Sequence, residues 1–189
     1  MLRVGVQHVF AVIALASTHF SQAQDLGCSS AVSLDGGTIE VEADASGNDT
    51  ENIQCALDAA IDGGYRDVFL TSPDYSIGAI AVTGFIGDLR GRSKANTTVT
   101  IQDSSLSCDE SIGVALEFRV GTASVRNMTL SVDSPCSDGS SASVIAYYSN
   151  PAQCSKRTTF GNVDRVVITG TSTSGLNAVT GVLMEAAPG

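Results

Sequence analysis

Glu117 and Glu185 are the two carboxylates whose sequence context best suits paired chemistry. They close the short apolar segments Gly113-Val114-Ala115-Leu116-Glu117 and Gly181-Val182-Leu183-Met184-Glu185. A third segment, Ser143-Val144-Ile145-Ala146-Tyr147, lies between them, at offsets of 30 and 38 residues. Stacked as parallel strands at those offsets, Glu117, Tyr147 and Glu185 share one outward column, with Arg119 beside it. Val114, Val144 and Val182 then point inward, as do Leu116, Ala146 and Met184. Adjacent strands lie about 4.8 Å apart, so the two carboxylates are expected roughly 10 Å from each other. Inverting glycosidases separate their acid and base by about 6.5–9.5 Å. A tyrosine between acids suits the stacking of a sugar ring. The expected roles are catalysis for Glu117 and Glu185, and substrate binding for Tyr147 and Arg119. The competing reading is an ordinary solvated strand face. A one-residue slip of register would exchange inside and outside.

The same offset of 38 recurs elsewhere: Ser124-Val125-Arg126-Asn127-Met128-Thr129-Leu130 echoes Asn162-Val163-Asp164-Arg165-Val166-Val167-Ile168. Two strand types repeating at a shared offset are the signature of a solenoid. The extra length of the third repeat falls near Asn150–Thr158, where Pro151 and Cys154 indicate a protruding loop. Upstream, Asp49 or Thr50 is a good helix N-cap and Glu51 suits the first turn. Ile53, Ala56, Leu57, Ala60 and Ile61 form one apolar stripe, and Gly63-Gly64 ends the helix. Short strand candidates follow at Val68–Leu70, Ala79–Val82, Asp88–Arg90 and Thr97–Ile101, with another before the helix at Thr38–Val41. The expected class is all-β, a parallel β-helix closed by an N-terminal capping helix at about 50–62. A β-sandwich would not naturally begin with a lone capping helix.

Residues 1–23 read as a signal peptide. Arg3 precedes an apolar run, Val9 to Ala16, and Ser21-Gln22-Ala23 fits a cleavage site. Residues 24–48 form an N-terminal arm, and 49–189 the β-helix domain. Both histidines of the chain, His8 and His19, fall in the signal segment. Their removal takes away Ser-His-Asp catalysis and His-ligated zinc. The net charge of −10 becomes −11 once Arg3 is gone, which disfavours nucleic acid and anionic lipid as partners. No other segment is long and apolar enough to span a membrane. The expected location is secreted, periplasmic or cell-surface.

All five cysteines lie beyond the cleavage site. In an exported chain they read as disulfides with one left over. Cys55 falls on the helix face opposite the apolar stripe, where the arm can cross it, so Cys28–Cys55 is the first expected bridge. Cys108 and Cys136 follow comparable strands and form the second, with Cys136–Cys154 its rival. Sequons begin at Asn48, Asn96 and Asn127. Calcium is the cation such an acidic chain would accept, and the run Glu40, Glu42, Asp44, Asn48, Asp49 offers oxygen ligands without EF-hand spacing. A solvated arm is the simpler account of that run. Arg126, Arg165 and Asp133 lie at strand ends and form no motif.

The run Asp49-Thr50-Glu51-Asn52-Ile53-Gln54-Cys55-Ala56-Leu57-Asp58-Ala59-Ala60 carries a further indication, together with Val68-Phe69-Leu70, Pro73-Asp74-Tyr75, Leu89-Arg90-Gly91 and Thr98-Val99-Thr100-Ile101. It resembles the N-terminal coil of the pectate lyase-like superfamily, over about fifty residues. The resemblance implies a right-handed parallel β-helix and an exported protein that binds or degrades polysaccharide. It marks the fold entry and not an active site. Family lyases pair calcium-binding carboxylates with an Arg base, and no matching motif occurs here. Family members usually have more coils, and the sequence shows no C-terminal cap. A non-catalytic surface, adhesin or tailspike-like module, or an inactive fragment of a longer protein, is the alternative expectation.

Overall fold

Gly36 and Gly37 open the described fold. Both adopt positive φ, 56° and 91°, which suits a two-residue hairpin turn whose twist matches its strands. They join β1 (Val32–Asp35) to β2 (Thr38–Val41) in antiparallel register. A computed structural model describes residues 26–47, 49–102, 113–133, 142–148, 160–171 and 179–185. Residues 1–23, expected as a signal peptide, and Asn48, Cys108, Cys136 and Cys154 lie outside these residues, as does the loop expected near Asn150–Thr158.

Helix α1 runs from Asp49 to Gly63, and Gly64 leaves it at φ 70°, the left-handed exit that glycine permits. Its expected stripe is the buried face: Ile53, Ala56, Leu57 and Ala60 are at most 1% exposed. Ile61 is partly buried against the same core. The helix packs on β2, β3 (Asp67–Leu70), β4 (Asp74–Ile77) and β5 (Ile80–Thr83). Its polar side chains reach the backbone of the last two and of the turn that joins them. Ser76 N–H donates to Asp49 Oδ2 at 2.8 Å, Gly78 N–H to Thr50 Oγ1 at 2.7 Å, and Ala81 N–H to Gln54 Oε1 at 3.2 Å.

The remaining strands are β6 (Ile86–Arg90), β7 (Thr98–Ile101), β8 (Gly113–Arg119), β9 (Thr122–Asp133), β10 (Ala142–Tyr148), β11 (Phe160–Thr171) and β12 (Val179–Glu185). Among the described residues the chain is mostly strand, with one helix, and every pairing after the first hairpin is parallel. Three ladders result. The first stacks β2, β3, β6 and the first half of β9. The second stacks β4, β7 and the second half of β9. The third stacks β5, β8, β10 and β12. β11 lies along the whole of β9. Both long strands turn at a residue with positive φ, Asn127 at 55° and Arg165 at 53°. The chain therefore visits the ladders in the same order on each pass.

Like residues stack inside each ladder. Ile39, Val68, Leu89 and Val125 are in register and at most 2% exposed. Tyr75, Val99 and Leu130 form a second column, and Ile80, Leu116 and Ile145 a third. The expected offset of 38 between β9 and β11 is observed, with Ser124 opposite Asn162.

The third ladder departs from expectation. Leu116 pairs with Ile145 and Ile145 with Val182, so the offsets are 29 and 37, each one residue short. In β10 that slip turns Tyr147 from the outer face to the interior, because side chains alternate with period two. Tyr147 is 2% exposed, its ring stacked 5.5 Å from Phe118, which lies 6.4 Å from Phe85. Gly161 makes room for it: a Cβ there would come within 2.4 Å of the Tyr147 ring.

Candidate functional site

The expected column of Glu117, Tyr147 and Glu185 is not formed. Glu117 aligns with Ala146, whereas Glu185 aligns with Tyr148 and Arg119. The two acidic positions are two strands and two residues apart, about 12 Å by strand spacing. Glu117 and Arg119 form an ion pair with each other, the Glu117 side chain only 14% exposed and that of Arg119 58%. The Glu185 side chain lies outside the described residues. Tyr147 offers no platform to a ligand. Burial pushes its phenol up to about 12, and its hydroxyl donates to the Asn162 carbonyl at 3.3 Å. Ala115, Val144 and Ala146, on the outward side of the same strands, are at most 1% exposed. This face is no open groove.

The outer face of the first ladder is chemically richer. Alternate residues of its strands make two rows. One holds Thr38, Asp67, Asp88, Ser124 and Asn162, the other Glu40, Phe69, Arg90, Arg126 and Asp164. Oppositely charged groups meet diagonally across neighbouring strands. Arg90 donates from Nε and Nη2 to the two oxygens of Asp67, both at 2.7 Å. That bidentate geometry fits a planar guanidinium. The hydrogen bonding to Asp67 holds the Arg90 pKa above its ordinary value, against the opposing effect of partial burial. Arg126 is ion-paired with Asp88 one strand on, Nε 3.3 Å from the carboxylate, without the bidentate hydrogen bonding of Arg90. Thr38 Oγ1 donates at 3.0 Å to Asp67 Oδ2, the oxygen that also accepts from Arg90 Nη2. Arg90 also sits 4.0 Å above the centroid of the Phe69 ring, within cation–π range.

An open cleft of about 1150 Å³ borders this face. Glu40 and Glu42 line it from β2 and the residue beyond, Phe69 from β3, and Thr71, Ser72, Pro73 and Asp74 from the turn into β4. Arg92, Ala95, Asn96 and Thr98 complete it from the turn before β7. Both turns are fastened. Tyr75 is buried and its hydroxyl donates to the Val41 carbonyl at 2.6 Å while accepting from Ser72 N–H at 2.8 Å. Burial pushes the Tyr75 phenol up despite those bonds. On the other side, Arg92 N–H donates to buried Thr97 Oγ1 at 3.0 Å, and Thr129 Oγ1 donates to the Lys94 carbonyl at 2.7 Å. Gly91 lets the turn approach β9: a Cβ there would fall 2.7 Å from the Asn127 carbonyl oxygen.

The acidic run of the arm divides. Glu40 and Glu42 line the cleft, but Asp49 is 4% exposed and its carboxylate is engaged. One oxygen accepts from Asp44 N–H at 2.7 Å and the other from Ser76 N–H. Among the described residues no three His, Cys, Asp or Glu side chains form a metal site. Arg165 pairs with Asp164 at 3.1 Å, and Asp133 pairs through its backbone with Thr171. The bridge between Cys28 and Cys55 is present, Cα atoms 5.8 Å apart, and pins the arm to the outer side of α1. No helix among the described residues is long and apolar enough to cross a membrane.

No protein family, curated protein or solved structure matches this chain.

Proposed function

We propose that this chain is an exported parallel β-helix protein, capped by α1, that binds polysaccharide in the cleft beside its first ladder. The recurring order of strand visits supports the β-helix, as does the resemblance of residues 49–101 to the pectate lyase-like superfamily. The disulfide supports an oxidising compartment. One observation carries the saccharide reading. Glu40, Glu42, Asp74, Asn96 and Arg92 line a cleft together with an aromatic ring, Phe69. Carboxylates and amides take sugar hydroxyls, and an aromatic ring takes the apolar face of a pyranose. Binding rather than cleavage is the activity this geometry supports, because the Glu117 and Glu185 positions do not share a row.

The test is affinity electrophoresis of the chain through gels cast with a panel of neutral, acidic and basic polysaccharides. Retardation by at least one of them, lost in Phe69→Ala, is the expected result. Unretarded migration of the folded protein in every gel would remove the proposal. Reducing ends or ultraviolet-absorbing unsaturated products in the same samples would restore the enzyme reading.

A further inference from the structure

We propose that the cleft selects a glycan bearing protonated amines, such as a glucosamine polymer, over a polyuronate. This rests on the saccharide-binding reading above. The lining sets three carboxylates, Glu40, Glu42 and Asp74, against one guanidinium, Arg92. Glu42, Asp74 and Arg92 form no ion pair with another described residue. Of the nearby cations, Arg90 is answered by Asp67 at 2.7 Å and Arg126 by Asp88 at 3.3 Å, while exposed Lys94, in the turn between Arg92 and Ala95, forms no ion pair with another described residue. A ligand entering the cleft therefore meets three carboxylates and one guanidinium on the lining, with Lys94 at its margin. Carboxylates carried on successive sugars are repelled there, and ammonium groups are attracted. The net charge of −10 on the whole chain acts in the same direction at longer range. Exposed charges are screened over about 8 Å at physiological ionic strength, so the discrimination is read over one or two sugar units and weakens with salt.

Isothermal titration of the full chain with tetramers of glucosamine, N-acetylglucosamine, glucose and galacturonate separates the possibilities. The glucosamine tetramer is expected to bind about tenfold tighter than its N-acetylated counterpart, two exposed charge pairs making that difference. The preference is expected to shrink as salt is raised. Glu42→Gln combined with Asp74→Asn should abolish it with an unchanged circular dichroism spectrum. Arg92→Ala, at an exposed turn position, should tighten glucosamine binding. Tighter binding of galacturonate, or equal binding of all four tetramers, would overturn the charge selection and leave saccharide binding standing. An unchanged preference in the double variant would also overturn it. Failure of every tetramer to bind would remove both readings.

Discussion

Replacing Tyr147 by alanine separates the two registers of β10. In the interior register the ring is 2% exposed and stacks between Phe118 and the space left by Gly161. Removing a buried aromatic ring typically costs 3–5 kcal/mol, and an aromatic pair adds about 0.5–1.5 kcal/mol beyond its buried area. A loss of about 4 kcal/mol is expected. For a domain of this size that is on the order of 12 °C in Tm. On the outward face expected from the sequence, the same change would stay within about 0.5 kcal/mol. Urea unfolding followed by circular dichroism measures the difference directly. Tyr147→Phe keeps the ring and loses one long bond of 3.3 Å to the Asn162 carbonyl, so it should cost no more than about 1 kcal/mol. Alkali provides an independent reading. The folded phenol, at about 12, is raised above its usual value of 10. Its stabilising contribution is thus complete below pH 10 and lost as pH rises toward 12. Two pH units correspond to roughly 3 kcal/mol. Wild type should lose stability across that window and Tyr147→Phe should not lose this part of it. A Tyr147→Ala variant within 1 kcal/mol of wild type would refute the interior register.

Three other outcomes follow from contacts already described. Gly161→Ala drives a methyl into the Tyr147 ring and should cost about 1–3 kcal/mol; the cost should largely vanish in the Tyr147→Ala background, which a double-mutant cycle reads. Reducing the Cys28–Cys55 bridge, whose partners are 27 residues apart, should cost about 3.5 kcal/mol by loop-closure entropy, measured by urea unfolding with and without dithiothreitol. Asp49→Ala strips the acceptor from two amides, those of Asp44 and Ser76, and should cost about 3 kcal/mol, again read from the urea midpoint.

Where the sequence alternated cleanly or carried a marked terminus, its reading was sound. The apolar stripe of α1, its glycine stop and the reach of Cys55 toward the arm all follow from helix geometry. Strands β2, β3, β6 and β7 lie close to their expected places. The β9 and β11 register was legible because both segments alternate through several residues. The register of β10 was not, and the reason is visible in its burial. Ser143, Val144, Ile145, Ala146 and Tyr147 are all at most 2% exposed. A strand covered on both faces shows no polar alternation, so nothing in its sequence selects the phase. The cleft escaped notice for a different reason. Its neighbouring row, Glu40, Phe69, Arg90 and Arg126, is spaced by 29, 21 and 36 residues. No fixed period links these positions, because the turns between strands differ in length. The only available signal was local, the outward alternation of Glu40, Phe69 and Arg90 within strands already identified.

The three side chains by which α1 grips β4 and β5 have a consequence for how the protein meets other proteins. A sheet edge with free amides is a template on which any extended segment can add. Asp49, Thr50 and Gln54 occupy the amides of Ser76, Gly78 and Ala81, and the apolar stripe of the helix fills the space a further strand would need. The helix is thus a stopper against fibrous growth at this end.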